Sequence, residues 1–264
     1  MSLTALVVIS GVAGIATPSM YEAATFYWQV QTVWQDYTDV FFVTPVLLFS
    51  GIFASKGSKI ASALWTGALL YLCYTYAIFA FSVHFNRNFL FYCVLLGISF
   101  YALLWFFHSG MSKTIVIHRA AWWLAIYLML TGSLFYFAWL ADVWPGIVQG
   151  IAPSSVERAG LFTNPVHVLD LSLLLPGYIV CGVLLLSRNE LGYLTAPMFL
   201  SFGAIMGISI TILQVALFIN DLVHSLFVAF AMLFITAVNI FFLASNYSER
   251  NITRSKKDFP VQHL

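Results

Sequence analysis

Residues 193–219, YLTAPMFLSFGAIMGISITILQVALFI, run for 27 positions without a charged side chain. As a helix, at ~1.5 Å per residue, they reach about 40 Å, more than the ~30 Å hydrocarbon core of a bilayer. Backbone amides in hydrocarbon have no water to bond. An apolar run of this length therefore closes its hydrogen bonds internally, as an α-helix.

The rest of the chain has the same character. Of 264 residues, 61% are hydrophobic, 17% aromatic and only 8% charged, and the mean hydropathy is +0.92. A soluble domain carries roughly 25% charged residues, so water-soluble enzymes, disordered chains and nucleic-acid binders are excluded. With 11 Lys and Arg against 10 Asp and Glu, the net charge of +1 gives no general attraction to an acidic partner. The period-2 alternation of an outer-membrane barrel is absent. The expected fold is an all-α membrane protein of eight spans, or seven, in one polytopic domain over residues 1–248.

The spans are expected at 2–17, 38–55, 60–83, 88–108, 119–141, 166–187, 193–219 and 221–245. The first is short, reaching about 24 Å. It is either a retained helix with Ser10 and Gly14 on a small-residue packing face, or the apolar part of a secretory signal, although no Lys or Arg precedes it. Residues 18–37, which begin with Pro18 and are rich in Tyr, Phe and Trp, are expected to form an outer interfacial helix. Residues 142–165, with three Pro and three Gly, are expected as an irregular outer loop, and 249–264 as a basic cytoplasmic tail.

Orientation follows from the cations. Lys56, Lys59, Lys113, Arg119, Arg188, Arg250, Arg254, Lys256 and Lys257 fall on one side of this layout, and Arg87 and Arg158 on the other. Such a 9:2 split makes the first side cytoplasmic, with both termini on it, in a cell inner membrane. The eight Trp cluster near the two boundaries. Cys73, Cys93 and Cys181 lie within apolar spans as small hydrophobes, with no disulfide or thiol pattern.

The acids sort the other way. Glu22, Asp36, Asp39, Asp142, Glu157, Asp170 and Asp221 are placed outside, and Glu190, Glu249 and Asp258 inside. Helix caps account for much of this, because the spans entering from outside need Asp or Asn at their N-termini: Asp36 or Asp39, Asn86 or Asn88, Asn164, and Asn220 or Asp221. Deeper than a cap lie His167, Asp170, His224 and His84. His167 and Asp170 are three apart, on one helix face, and Asp221 and His224 repeat that spacing in reverse. A carboxylate in lipid costs roughly 2.5–3.5 kcal/mol, so Asp170 is expected to face the bundle interior and to have a partner.

Three chemistries compete for an outward-open polar pocket built from these residues. A proton, cation or small polar solute is bound or moved, with Asp170 as the central acid, His167 and His224 as its partners, and Asp221, Asp39 and His84 at the rim. Alternatively, His167, Asp170 and His224 ligate a divalent metal in a hydrolase-like enzyme, although no HxxxH or HExxH pair is present. As a third reading, the polar groups only pack helices in an assembly or accessory subunit. Tyr71, Tyr74, Tyr76, Tyr92, Gln214 and Asn239 are expected as interhelical packing groups, and Pro45, Pro176 and Pro197 as span interruptions of the kind that can mark transporter sites. No Lys lies within a span, and there is no Gly-x-Ser-x-Gly elbow or phosphate-binding loop, so Schiff-base, serine-hydrolase and ATP-coupled mechanisms are excluded. Apart from a divalent metal in the second reading, no cofactor is expected, and the only partner implied is the lipid bilayer.

The stretches Trp34-Gln35-Asp36, Asn86-Arg87-Asn88-Phe89-Leu90 and Asn164-Pro165-Val166-His167-Val168-Leu169-Asp170-Leu171 resemble segments of uncharacterised multi-pass bacterial inner-membrane proteins. The resemblance implies a membrane location and carries no activity.

Overall fold

A computed structural model describes residues 2–109 and 121–247. The segment with Lys113, His118 and Arg119, and the tail 249–264, lie outside the described residues. The described chain is all helical: α1 (Ser2–Ala16), α2 (Phe26–Ser55), α3 (Lys59–Ser82), α4 (Phe89–His108), α5 (Ala121–Gln149), α6 (Ser154–Ala159), α7 (Pro165–Leu186), α8 (Glu190–Ile219) and α9 (Phe227–Tyr247). Seven of these, all but α1 and α6, are long and apolar enough to cross a membrane. Helices α3 and α8 form the centre: α3 packs on α2, α4 and α8, while α8 also meets α7 and α9, and α5 lies along α7. At the α3–α8 crossing Gly67 is required, since a Cβ there would come within 2.3 Å of Ser201 Cβ.

Three boundaries differ from the sequence expectation. The interfacial helix expected over 18–37 is instead a 3-10 turn, Pro18–Tyr21, followed by α2, which starts at Phe26 and runs unbroken into the span expected from 38. The start is set by Thr25, whose hydroxyl caps Trp28 N and donates to the carbonyls of Arg158 and Ala159, and nothing between Phe26 and Asp39 breaks the helix. The loop expected from 142 begins later, because α5 continues through Pro145 to Gln149 and stops at Gly150, whose φ of +69° supplies the left-handed C-terminal residue. The last span starts at Phe227 rather than 221. Asp221 takes φ +56° and terminates α8, with Leu222 N bonded to Leu217 O at 2.9 Å, so it ends one helix instead of capping the next.

Two of the long helices share a local irregularity. In α2 a π-helical turn spans Asp39–Val43, and in α7 another spans Asp170–Leu174. Each is closed by the residue before a proline: Thr44 N bonds Asp39 O ahead of Pro45, and Leu175 N bonds Asp170 O ahead of Pro176. Proline removes one helical N–H and crowds the carbonyl four residues back, and an inserted residue relieves both by widening the preceding turn. The same D-x5-P spacing thus opens the same turn twice. Pro197 lies inside α8 with no such turn.

Candidate functional site

Both π turns begin on a buried aspartate, and α3 supplies a tyrosine to each. Asp39 is 1% and Asp170 9% exposed. Tyr71 donates towards Asp39 Oδ1 at 3.1 Å, and Tyr74, three residues further along α3, donates to Asp170 Oδ1 at 3.0 Å. Two carboxyls from different helices are therefore addressed from neighbouring positions on one central helix.

Around Asp170 the groups form a column. Trp139 Nε1 of α5 donates to Asp170 Oδ2 at 2.7 Å. The Trp139 ring lies 4.6 Å from the imidazole of His167, one turn before Asp170 on α7. His167 Nε2 is buried and lies 3.4 Å from Asp142 Oδ2, an ion-pair distance without hydrogen-bond alignment. Asp142 is half-buried and accepts from Ser155 Oγ at 2.6 Å. The helix start above it is fixed by Asn164, whose side chain accepts from Val166 N at 3.0 Å, with Pro165 in the first turn.

Around Asp39 the groups form a ring. Gln35 Nε2 donates to Asp39 Oδ1 at 2.8 Å and to the Tyr71 hydroxyl, Tyr71 contacts Ser209 Oγ of α8 at 3.0 Å, and Ser209 donates to Gln35 Oε1 at 3.2 Å. Beside it on α2, Asp36 accepts from Tyr21 at 2.7 Å, and Tyr21 lies 3.3 Å from the Tyr92 hydroxyl. Burial, and then the neighbouring Asp36 carboxyl, push the Tyr21 phenol above its ordinary range, so it remains a donor. Gly14 of α1 leaves room for this pair, since a Cβ there would meet Asp36 Oδ2 at 1.9 Å.

The six expected site residues thus separate. His167 and Asp170 lie together, and Asp39 lies in its own ring, met by Tyr71 where Asp170 is met by Tyr74. His84 is exposed at the end of α3, lining a surface depression of about 490 Å³ with Phe162, Thr163 and Pro165. Asp221 and His224 are exposed on the α8–α9 connection, and the helical pair expected of them is not formed, because α9 starts after both. Among the described residues no three His, Cys, Asp or Glu side chains are placed to hold a metal ion, so His224 does not join His167 and Asp170. Trp139, Ser209 and Asp142 are the partners that spacing along the chain does not reveal, whereas Gln35 stands four residues before Asp39 on the same helix. The D-x5-P pair, DVFFVTP at 39–45 and DLSLLLP at 170–176, was the available signal.

No family model, no curated protein and no solved structure matches the chain.

Proposed function

We propose that this is a multi-pass inner-membrane protein that takes a proton from its outer face onto Asp170 and moves it within the bundle, with Asp142 and His167 as the receiving groups. The observation that carries this reading is the Asp142–His167–Trp139–Asp170–Tyr74 column, which runs from a half-exposed carboxyl to a buried one. Buried ionisable groups in a membrane bundle are costly, face the bundle interior and pair with one another where they serve ion pathways. The proton is favoured over a polar solute because the groups that meet Asp170 are the hydrogen-bond donors Trp139 and Tyr74, packed against a 9% exposed carboxyl. Cytoplasmic termini are supported by the 9:2 distribution of Lys and Arg.

Proton flux into dye-loaded vesicles under an imposed membrane potential tests this. Vesicles carrying the protein are expected to acidify faster than empty ones, and Asp170→Asn to slow that flux about a hundredfold, the scale of a positioned proton-transfer group. His224→Ala is expected to leave it unchanged. Wild-type flux equal to that of empty vesicles, or an Asp170→Asn protein that is less stable but conducts normally, would overturn the proposal and leave these groups as helix-packing residues of an accessory subunit.

A further inference from the structure

The geometry points to a second proton site, separate from the outward column: a proton resident on Asp39, held in a closed hydrogen-bonded ring with Tyr71, Ser209 and Gln35. Five contacts join these four side chains: Gln35 to Asp39, Gln35 to Tyr71, Tyr71 to Asp39, Tyr71 to Ser209, and Ser209 to Gln35. With one hydrogen to each two-centre contact, the five call for five. The Gln35 amide supplies two, the Tyr71 phenol one and the Ser209 hydroxyl one, which makes four for five contacts if Asp39 is a carboxylate. Exchanging the Gln35 amide O and N does not help, because the amide oxygen then faces Asp39 Oδ1 and a hydrogen is still missing there.

One proton on Asp39 completes the set. The carboxyl donates to Tyr71, Tyr71 to Ser209, Ser209 to the Gln35 carbonyl, and the Gln35 amide returns one hydrogen to Asp39 and the other to Tyr71. The phenolic oxygen then accepts twice and donates once, which its two lone pairs allow.

The surroundings agree with a neutral ring. Asp39, Tyr71 and Ser209 are each no more than 1% exposed, and beyond the ring the Asp39 carboxyl meets only the Tyr76 hydroxyl, which adds one contact and one hydrogen and leaves the shortfall as it was. The titratable groups facing Asp39 are Asp36 on its own helix and Tyr71 and Tyr76 on α3, none of them cationic. Among the described residues the one ion pair is His167–Asp142, so no Lys or Arg offsets a charge at Asp39. An uncompensated charge buried in a bundle is avoided by taking up a proton.

Infrared spectroscopy of the purified protein at neutral pH, with no gradient applied, tests this without reference to transport. The expected spectrum contains the C=O band of a hydrogen-bonded protonated carboxyl that is absent in Asp39→Asn and retained in Asp170→Asn. Tyr71→Phe is expected to shift that band without removing it, which keeps the test available should Asp39→Asn fail to fold. An Asp39→Asn spectrum that loses only carboxylate absorption, a band indifferent to Tyr71→Phe, or a band erased by sodium chloride would each overturn the resident proton, the last in favour of a metal cation. Because the band is read on resting protein, a failure of the flux proposal leaves this result standing, and the reverse also holds.

Discussion

Asp39 and Asp170 share one backbone device and differ in everything placed around it. Each opens a π turn followed by a proline six residues later, and each meets a hydroxyl from α3. Asp39 is enclosed by side chains of α2, α3 and α8 that also bond one another. Asp170 is met by two donors from different helices, Tyr74 and Trp139, with a histidine and a half-exposed carboxylate above it. The groups around Asp39 close on one another, whereas those above Asp170 lead to the half-exposed Asp142. The contrast teaches that depth of burial alone does not rank the two acids.

The largest expected effect reverses the intuitive order of stability. Replacing Asp170 by Val leaves the Trp139 N–H and the Tyr74 hydroxyl without a partner in a dry bundle. At 1–3 kcal/mol per orphaned donor, about 3 kcal/mol of stability should be lost. Replacing Asp39 by Val removes the more buried acid, yet Gln35, Tyr71 and Ser209 can still bond one another with three of their four hydrogens, leaving one Gln35 N–H orphaned against two donors at Asp170, and the loss should be about 1 kcal/mol. Thermal unfolding in one detergent compares the pair, and an Asp39→Val protein that is the less stable of the two would break the distinction.

A smaller effect sharpens it. Trp139→Phe keeps the packing against His167 but removes one of the two bonds to Asp170, and should cost about 1.5 kcal/mol, as for a hydrogen bond to a charged group. Ser209→Ala opens the ring at its hydroxyl and should cost about 0.6 kcal/mol, the mean for interhelical hydrogen bonds within membranes. Equal losses in the same unfolding measurement would remove the energetic ground for treating column and ring as different.

Much of this fold is legible from hydropathy, because hydrocarbon admits only long apolar helices, and 193–219 needs no tertiary information to be assigned. The π turns are not legible in the same way. Six residues from Asp39 to Pro45 correspond to no common helical face, and the widened turn arises only when a proline must be accommodated within a packed helix. The Asp221–His224 pairing fails for a related reason: Leu222, Val223 and Leu226 extend the apolar run, while the turn is set by the left-handed backbone that Asp221 tolerates. His167 and Asp170 come together because their spacing lies within one helix turn. Trp139 and Ser209 come from other helices, and their aromatic or small polar character alone suggests interface anchoring or packing.

The central claim is that Asp170 exchanges a proton with the outside, and the indole bonded to it offers a direct reporter. Tryptophan emission of the folded protein, titrated through the carboxyl range, is expected to show a step as the Trp139 N–H exchanges a carboxylate acceptor for a neutral carboxyl. That step should persist in His167→Gln and vanish in both Asp170→Asn and Trp139→Phe. A step that survives in folded Asp170→Asn, or that is lost with His167 alone, would contradict the account.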